Sequence, residues 1–536
     1  MPEHTWWRDA VCYQIYVRSF ADSDGDGVGD LAGATSRLPY LADLGVDAVW
    51  LTPFYPSPQA DHGYDVSDYC DVDPLFGDLA AFDALLEQAH SLGVKVIVDV
   101  VPNHSSDQHA WFLAALGAAP GSPQRARYLF RDGRGEDGAE PPNNWLSTFG
   151  GPAWTRVPDG QWYLHLFDAG QPDFDWTNPE VSDEFERVLR FWLDRGVDGF
   201  RIDVAHGLAK ADGLPDLTAE QLTSEGGELE ETLIESSRPY WDQPGVHDVY
   251  QRWHRVLADY DGDRMAIAEA WVSDAEAMAR YLRPDELQQA FNFHWLTATW
   301  SGDALRDVVD HTFRATRSVG AWPTWVLSNH DVVRSATRLG AGAAGLGHSR
   351  SGLLAMLALP GSTYLYQGEE LGLPQVDIAP EDRQDPAFVN GRGVGRDGCR
   401  VPVPWTAASD DGTAYGFSPA DSTSPWLPQP ACWGTLSVQA QQGDAASTLT
   451  FVRAALRVRR ELLATLGDEV ELPSVGPDAL VIRRAGGLVC VVGCGSAPVP
   501  LTPLGVDPAT VLIATAENTV VDGAVQPDTA AWFRSG

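Results

Sequence analysis

Cysteine is scarce in this chain, and the six cysteines are spread from Cys12 to Cys494 rather than grouped. A disulfide-stapled scaffold needs many closely spaced cysteines, so the pattern excludes that class and suits a reducing compartment. Cys490 and Cys494 lie close together but have no matching second pair, which argues against a zinc site. Residues 1–17 carry charges where a secretion signal would need an apolar core. Together these features predict a cytoplasmic protein.

Positive charge is also scarce, since 37 lysines and arginines face 75 aspartates and glutamates and give a formal net charge of −38. Such a chain would repel phosphates and anionic lipids, so we expect no nucleic-acid and no membrane partner. No apolar run approaches the length of a membrane-spanning helix. A hydrophobic content of 44% with 20 tryptophans excludes general disorder. The expected partner is a small neutral or cationic molecule.

Short β-branched and aromatic runs alternate with helix-period segments, which is the pattern of βα units around a parallel sheet. Helical periodicity is clear at residues 79–93 and 181–196, each ending at a glycine suited to a C-terminal cap, and a last barrel helix is expected at 448–467. The predicted fold class is α/β, with a (β/α)8 TIM barrel. The candidate strands are residues 11–17, 46–53, 95–101, 199–204, 265–271, 290–295, 324–330 and 362–367.

The spacing of these strands predicts how the chain divides into domains. About a hundred residues separate the third and fourth strands. Residues 105–175, rich in Trp, Pro and Gly, are therefore predicted to form an irregular inserted subdomain. The barrel comprises residues 1–104 and 176–467, with a second irregular excursion at about 373–445. Residues 468–536 are predicted to form an antiparallel β-sandwich domain.

Acidic residues alternate with other residues in the segment DSDGDGVGD (22–30), after the first predicted strand. Carboxylates at alternate positions can converge on one hard cation, and a backbone carbonyl can add a ligand. Gly33 stands where an EF-hand loop would have its bidentate glutamate, so a paired-helix calcium sensor is not expected. A solvated acidic turn is the alternative. The loop predicts a structural Ca²⁺ site without an organic cofactor, and the candidate ligands are Asp22, Asp24, Asp26, Val28 and Asp30.

Polar residues follow several predicted strands at their carboxyl ends, where the active sites of such barrels are built. Taken singly, a residue of this kind is more often a helix cap or a packing residue. Taken together, they would place like charges at one pole, and folding gains nothing from that repulsion. Paired carboxylates, one with a raised pKa and one ionised, are what glycoside cleavage requires. The residues are Asn103, His104, Asp203, Glu269, His330 and Asp331.

The motifs DVVPNH, GFRIDV, EAW and SNHD occur in this order at the ends of four predicted strands. They resemble the four signature regions of the α-amylase superfamily, glycoside hydrolase family 13. Together with DHGYDV (61–66), QPDFDW (171–176) and GRDGCRVPVPW (395–405), they look like its α-glucosidase and oligo-1,6-glucosidase branch. The resemblance extends from about residue 6 into the C-terminal domain.

The resemblance implies the catalytic residues. Asp203 would be the nucleophile that forms a β-glucosyl-enzyme intermediate, and Glu269 would be the general acid and then the base. Asp331 would be the third acid, which binds sugar hydroxyls. Arg201 would hold the nucleophile ionised and oriented. In a retaining enzyme of this kind, the two catalytic carboxyl groups are expected roughly 5 to 5.5 Å apart.

The resemblance also implies a pocket for one glucose unit. Asp61 and Arg400 would form the ion pair that closes the pocket around a non-reducing terminal glucose, which implies exo action. Tyr64 would stack beneath this glucose, with a purely structural tyrosine at the barrel mouth as the alternative. His104 and His330 would hydrogen-bond the same sugar. A calcium loop after the first strand is a further feature of this branch.

Two motifs depart from the pattern of the family. Val204, which follows the predicted nucleophile, is linked to α-1,6 cleavage, but residues 205–206 (Ala-His) replace the asparagine-containing sequence usual in the α-1,6 enzymes. Residues 398–399 (Gly-Cys) replace the commoner Asn-Ala, which leaves the contact of Arg400 open. The acidic segment 212–235 is expected to be a solvated surface loop, with a loop over the site as the alternative.

The function implied is that of a retaining exo-α-glucosidase acting on short α-glucosides such as maltose, isomaltose and malto-oligosaccharides. Sucrose is a further candidate substrate, and transglucosylation a competing reaction. The alternative on the same residues is a transglucosylase or a glucoside isomerase of the trehalose- or isomaltulose-forming kind. A non-enzymatic relative is not expected, because the acids are retained and no membrane helix is predicted. Linkage preference and oligomeric state stay open.

Overall fold

A computed structural model describes residues 5–222, 237–408 and 414–535 of the chain. Its largest sheet has eight parallel strands, each of which overlaps a strand predicted from the sequence. A parallel bridge between Phe291 and Thr324 joins the sixth strand to the seventh and closes the sheet. The predicted (β/α)8 barrel is therefore confirmed. Its strands are Val11–Ile15, Ala48–Leu51, Lys95–Val100, Gly199–Ile202, Met265–Ala268, Gln289–Ala290, Thr324–Val326 and Ser362–Tyr366.

The barrel strands are apolar on both faces, because helices cover the outside of the sheet and side chains fill its interior. The third strand is representative, since every residue after Lys95 is buried. Its one acidic residue is Asp99, which is 0% exposed. A carboxylate buried among valines requires charged or hydrogen-bonding partners, and this one lies beneath the candidate active site.

Amphipathic helices surround the barrel and carry the expected end signals. Asp78 caps the helix Leu79–Ser91 by accepting the N–H of Ala81 at 2.8 Å, and Gly93 follows the helix with a φ of +76°. No helix within the described residues is both long and apolar enough to cross a membrane. The helices are Leu31–Leu44, Leu79–Ser91, Pro179–Asp194, Ala219–Leu222, Gly245–Ala258, Ala275–Arg280, Phe293–Thr297, Gly302–Ser318, Ser335–Arg338, Gly342–Ala358 and Thr448–Leu463.

The residues between the third and fourth strands leave the barrel and form a subdomain at its mouth. An antiparallel bridge between His104 and Asp173 ties the end of this excursion to its beginning. The sequence predicts irregular structure here, but three short strands pair as an antiparallel sheet. The elements are the helix Ala110–Gly117 and the strands Phe130–Asp132, Trp154–Arg156 and Gln161–Leu164, of which the last is central.

The second excursion follows the eighth strand and has only short helical elements in its described part. Two hydrogen bonds anchor it to the acidic loop, from Thr423 N to Gly25 O (2.9 Å) and from Trp426 N to Gly27 O (3.0 Å). The acidic segment predicted as a surface loop, 212–235, lies mostly outside the described residues. The short elements are Pro380–Asp382, Pro386–Val389, Asp397–Cys399, Ala431–Leu436 and Val438–Gln441.

The C-terminal residues form two antiparallel sheets, which confirms the predicted β domain. Hydrogen bonds from Trp532 Nε1 to Leu354 O (3.1 Å) and from Gly302 N to Pro477 O (2.7 Å) fasten this domain to two barrel helices. The five-stranded sheet has the order Val470–Glu471, Ala479–Arg484, Leu488–Gly493, Ala530–Arg534 and Val511–Ala514, and the three-stranded sheet has the order Val499–Pro500, Ala524–Val525 and Val520–Val521.

Gly33, which replaces the EF-hand glutamate, lies in the first turn of the helix Leu31–Leu44. Asp30 caps this helix and accepts the Gly33 N–H at 2.7 Å. A Cβ atom on Gly33 would lie only 2.1 Å from the carbonyl oxygen of Ala21. Packing therefore requires glycine here, and a ligating side chain has no room at this position.

We expect Gly33→Ala to lower the free energy of unfolding by about 1–3 kcal/mol or more, because backbone must move to admit the methyl group. Gly117→Ala is the matched control, since it is also a helical glycine but has open space around its Cβ position. That change should be neutral or slightly stabilising. Urea unfolding of both variants measures the difference, and equal effects would contradict the packing argument.

Candidate active site

Three buried carboxylates surround one guanidinium at the carboxyl ends of the third, fourth and fifth barrel strands. Arg201 Nη1 lies 2.7 Å from Asp203 Oδ1 and 2.9 Å from Asp99 Oδ1. The Nη2 atom lies 2.7 Å from Glu269 Oε2. Because one planar group contacts both carboxylates, the residues predicted as nucleophile and acid, Asp203 and Glu269, are brought together.

The protonation of this cluster follows from its burial. Burial raises the pKa of Asp99 to about 7, although Arg201 opposes the shift. Burial also raises the pKa of Asp203 above its usual range, against the influence of Arg201 and with that of the neighbouring carboxylates. Three acids that share one cation cannot all ionise at low cost. Burial and the shared cation therefore act in opposite directions, and burial is the stronger influence on the pKa values of Asp99 and Asp203.

His330 is held as a neutral imidazole between Gln14 and Tyr64. The Gln14 amide donates to Nδ1 at 2.6 Å, so the proton lies on Nε2, which is 2.7 Å from the Tyr64 hydroxyl. That hydroxyl in turn donates to Asp99 Oδ2 at 3.1 Å. Burial lowers the pKa of His330 well below its usual value. This chain of hydrogen bonds fixes two predicted sugar-binding residues against the Arg201 cluster.

His104, the second predicted sugar-binding histidine, lies in the same wall. Its Nε2 atom is 3.1 Å from the carbonyl oxygen of Tyr64 and 3.1 Å from Nε2 of Gln171. Burial lowers the pKa of His104 to about 4, so its ring is also neutral. Gln171 donates to Asp61 Oδ2 at 3.2 Å as well. A side chain from the inserted subdomain thus links His104 to Asp61.

A second guanidinium, that of Arg396, joins three further carboxylates. It lies 2.8 Å from Asp61, 3.0 Å from Asp331 and 2.6 Å from Asp385. Burial raises the pKa of Asp61 to about 6, with Arg396 opposing the shift. Burial has the same tendency at Asp331 and Asp385, but basic neighbours outweigh it: His330, Arg396 and Arg400 at Asp331, and Arg396 and Arg400 at Asp385. They hold the pKa of Asp331 well below its usual range and that of Asp385 at about 2.

The predicted ion pair of Asp61 with Arg400 is wrong, because Asp61 pairs with Arg396. One turn of 3-10 helix separates the two arginines and directs Arg400 inward, where it is 0% exposed. Its Nε atom donates to the carbonyl oxygen of His330 at 2.9 Å, and its Nη2 atom lies 2.9 Å from Asp331. Arg400 therefore supports the site from behind, whereas Arg396 lines it.

A cavity of about 690 Å³ opens above these groups. Aromatic side chains line it beside Glu269, where Trp271 donates to Glu269 Oε1 at 3.2 Å and Trp241 stacks on His206 with ring centroids 4.7 Å apart. Arg201, like Arg400, lies behind the wall. The predicted residues that line the cavity are Asp61, Tyr64, His104, Asp203, Glu269, His330 and Asp331.

Several residues of the site were not selected by sequence reasoning. Asp99 had a usable signal, since it is the single acid in an otherwise apolar strand. Arg396 stands in the motif that drew attention to Arg400, but spacing alone could not decide between the two. Gln171 and Asp385 belong to the irregular excursions, where no periodicity indicates which side chain faces the barrel.

The acidic loop brings together three of its five predicted calcium ligands. One carboxylate oxygen from each of Asp22, Asp24 and Asp30 lies within 4.8 Å of the others. Asp26 lies outside this group, and its Oδ1 atom accepts the Val28 N–H at 2.8 Å. Three converging carboxylate oxygens suit a hard cation such as Ca²⁺. The donor set therefore fits a calcium ion held by these three aspartates.

Comparison with known proteins gives consistent results. The model of the family described as "Alpha amylase, catalytic domain" matches residues 14–467. A probable alpha-glucosidase of Rhizobium meliloti (strain 1021) is 38% identical over 510 residues, which cover 91% of this chain and 88% of that protein. The crystal structure of the alpha-glucosyl transfer enzyme XgtA superposes with a TM-score of 0.88 at 39% identity, covering 99% of this chain and 100% of that one. The trehalulose synthase MutB from Pseudomonas mesoacidophila MX-45 gives a TM-score of 0.87 at 29% identity, with both chains fully covered.

We expect Arg396→Met to lower the free energy of unfolding by about 3–5 kcal/mol at pH 8, because three carboxylates lose their shared cation. The folded-state pKa of Asp385, about 2, lies below its ordinary value, so its ion pair stabilises the fold above that ordinary value and the stabilisation is lost as pH falls toward 2. Without the cation, the pKa values of Asp61, Asp331 and Asp385 rise, and more of these acids are protonated at pH 5 than at pH 8. The loss of unfolding free energy should therefore be smaller at pH 5.

Urea unfolding at both pH values measures this effect. Arg383→Met is the matched control, because Arg383 lies in the same excursion but has an exposed acidic partner. Its Nη2 atom is 3.4 Å from Oδ1 of Asp377, whose side chain is 99% exposed. That pair should contribute at most about 1 kcal/mol. A deficit in Arg396→Met that is the same at both pH values would contradict the electrostatic origin.

Proposed function

Because this chain belongs to the α-amylase family and is a glycoside hydrolase, we propose that it is a retaining, exo-acting α-glucosidase. It releases α-glucose from the non-reducing end of short α-glucosides such as maltose, isomaltose, malto-oligosaccharides and sucrose. The observation that carries the proposal is that Asp203 and Glu269 both line a cavity of about 690 Å³ and both contact one guanidinium behind its wall at 2.7 Å. Two adjacent carboxyl groups of this kind suit a double displacement.

In the first step, Asp203 attacks the anomeric carbon of the bound glucose while Glu269 protonates the departing glycosidic oxygen. The C–O bond to the leaving sugar breaks as the bond to the carboxylate of Asp203 forms, giving a β-glucosyl ester. Arg201 donates to Asp203 at 2.7 Å, which fixes its orientation and favours its ionised form against the effect of burial. Asp331, whose pKa is held low by its cationic neighbours despite burial, stays anionic and accepts hydrogen bonds from sugar hydroxyls.

In the second step, Glu269, now a carboxylate, takes a proton from water as the water oxygen bonds to the anomeric carbon. The bond from that carbon to Asp203 breaks, and the Asp203 carboxylate leaves. The two inversions leave the anomeric configuration unchanged, so α-glucose is released. The ion pairs of Arg396 with Asp61 and Asp331 lie in the cavity wall and offer several hydrogen-bonding groups to the terminal glucose. Such a network suits recognition of one non-reducing end, which supports exo action.

A glucoside isomerase or transglucosylase is the second candidate. The aromatic side chains of Phe167, Trp241 and Trp271 line the cavity, and Trp271 contacts Glu269. These rings could retain a leaving sugar and exclude water. A retained sugar or another alcohol would then attack the ester in place of water. The structural similarity to XgtA and to MutB supports keeping this alternative.

Product analysis decides between the two. Wild type and Asp203→Asn are supplied separately with maltose, isomaltose and sucrose, and free glucose, its first anomeric form and new saccharides are recorded. A hydrolase should release α-glucose, and Asp203→Asn should lose at least a thousandfold of this activity, as expected for loss of a nucleophile. Conversion of a disaccharide into isomers without free glucose would establish the isomerase, and equal activity of the variant would exclude Asp203 as nucleophile.

We also propose that Ca²⁺ occupies the acidic loop and has a structural role. The three converging aspartates would hold it, and their mutual repulsion would be relieved. The loop is hydrogen-bonded to the segment that carries Trp426, whose ring lies 6.3 Å from that of Tyr16. Tyr16 in turn stacks on His330 at 5.5 Å. Calcium would therefore brace one wall of the site from a distance.

Urea unfolding in calcium and in EDTA tests this proposal. Free calcium at a hundred times its Kd should add about 2.7 kcal/mol to the free energy of unfolding. Asp24→Asn should abolish the dependence, because Asp24 is the exposed member of the three and its loss leaves the helix cap at Asp30 intact. Asp26→Asn is the control that should retain it. Identical curves with calcium and with EDTA would refute a bound ion.

The compartment is proposed to be the cytoplasm. All six cysteines are free, including the buried Cys12, Cys399 and Cys490. Burial raises the pKa of the Cys399 thiol, beside the site, to about 11, so it is a poor nucleophile at neutral pH. Free thiols in this number suit a reducing environment.

A further inference from the structure

Val204, directly after the proposed nucleophile, has a left-handed backbone with a φ of +46°. This conformation is uncommon for any residue with a side chain and is a clear outlier for a β-branched one. Its side chain is 7% exposed and lines the cavity. Strain of this kind persists only where the surroundings enforce it, and it concentrates at functional sites.

The surroundings of Val204 do enforce the turn. Its side chain belongs to a buried cluster with Trp154 and Leu166 of the inserted subdomain and with Trp241. A Cβ atom on Gly207 would lie 2.7 Å from Val204 Cγ1, so only glycine fits beneath the turn. The turn is thus packed between the barrel and the subdomain.

The turn changes the hydrogen bonding between the fourth and fifth strands. Ile202 pairs with Ala268, and the Glu269 N–H donates to Ile202 O at 3.0 Å, as a regular parallel ladder requires. Continuing that ladder, the Val204 N–H would donate to the carbonyl oxygen of Glu269. Instead the Ala205 N–H makes this bond, at 2.8 Å. One extra residue has been inserted into the strand, as in a β-bulge.

Because of this extra residue, the Val204 N–H is free of the strand ladder, and it donates to Glu269 Oε2 at 3.0 Å. Successive N–H groups point in opposite directions in an extended strand, but a left-handed residue lets them converge. Here both reach Glu269, one at its side chain and one at its backbone. Oε2 also lies 2.7 Å from Arg201 Nη2. An oxygen that faces two donors is a poor place for a proton, so the proton is left to Oε1.

We propose that the strained turn at Val204 is a positioning device for the acid–base residue, because it takes one N–H out of the strand ladder and uses it to fix Oε2 of Glu269. Oε1, which also accepts from Trp271 in the cavity wall, is then the oxygen that carries the proton to the leaving group. This inference rests on the proposed function, since it assumes that Glu269 is the general acid.

The experiment removes the N–H alone. Val204 is replaced by its α-hydroxy acid, which keeps the side chain and the turn but substitutes an ester oxygen for the amide nitrogen. Values of kcat/KM are measured for maltose and for aryl α-glucosides with leaving groups of increasing acidity. We expect kcat/KM for maltose to fall by about tenfold to a hundredfold, and the most acidic leaving group, which needs no proton, to be nearly unaffected.

Two controls separate positioning from general damage. Replacement of Ala205 by lactic acid removes the hydrogen bond to the carbonyl oxygen of Glu269, but leaves the Val204 N–H that donates to Oε2. It should lower stability without making kcat/KM depend more steeply on leaving-group acidity. Val204→Gly keeps both the N–H and the positive φ, and should retain the wild-type dependence even if KM changes. The proposal would be overturned if kcat/KM depended more steeply on leaving-group acidity in either control than in wild type. It would also be overturned if the Val204 ester had the same dependence as wild type.

Glu269→Gln distinguishes the two levels of inference. If this variant loses activity without any dependence on leaving group, Glu269 is not the acid and the proposed function fails. If kcat/KM of Glu269→Gln depends steeply on leaving-group acidity but that of the Val204 ester does not, only the positioning role of Val204 fails. Should the ester protein not fold, the amide signal of Val204 in ¹⁵N-valine-labelled protein gives a second readout. It should move in Glu269→Gln, and an unchanged signal would contradict the contact.

Discussion

The site depends on one constraint, which is that a single buried guanidinium must satisfy three carboxylates. Arg201 contacts Asp99, Asp203 and Glu269 and is 1% exposed. Burial of the acids favours their neutral forms, whereas the cation favours their ionised forms. Burial is the stronger influence at Asp99 and Asp203, so the pKa of each lies above its ordinary value although both contact Arg201. The roles proposed for Glu269 and Asp203, as acid–base residue and nucleophile, depend on that balance.

The remaining parts of the site are arranged around this cluster by segments that leave the barrel. The inserted subdomain contributes Gln171, and the second excursion contributes Arg396 and Asp385. Arg396 is again one cation among three acids, but here His330, Arg396 and Arg400 together outweigh burial and lower the pKa of Asp331. The two clusters therefore have opposite outcomes. In the first, burial raises the pKa values of Asp99 and Asp203, and in the second, the neighbouring basic groups lower those of Asp331 and Asp385.

Sequence periodicity predicts the strands and helices of the barrel, and the residues at the strand ends predict part of the site. Apolar runs located all eight strands, and the residues that follow them, such as Asp203 and Glu269, were placed correctly at one mouth because parallel strands end together. The sheet of the inserted subdomain was missed, since its strands are only three or four residues long. The sequence motif pairs Asp61 with Arg400 instead of Arg396, because one helical turn reverses which of the two nearby arginines faces the cavity. The sheet of the inserted subdomain and the partner of Asp61 both depend on how irregular segments pack. No local sequence pattern indicates this packing.

The two ends of the barrel also differ in how charge is paired, and this difference indicates which end carries chemistry. At the amino end, the buried Asp198 lies 2.7 Å from His90, 2.9 Å from Lys95 and 2.8 Å from Arg264, so one acid has three basic partners. These contacts outweigh burial and lower its pKa, so the pairing stabilises the fold. At the carboxyl end the ratio is reversed, and three acids share Arg201. An arrangement that gives up electrostatic stability at one end, in a fold able to optimise it at the other, is explained by function. The strained turn at Val204 lies at that same carboxyl end, where backbone conformation as well as charge is held away from its most stable state.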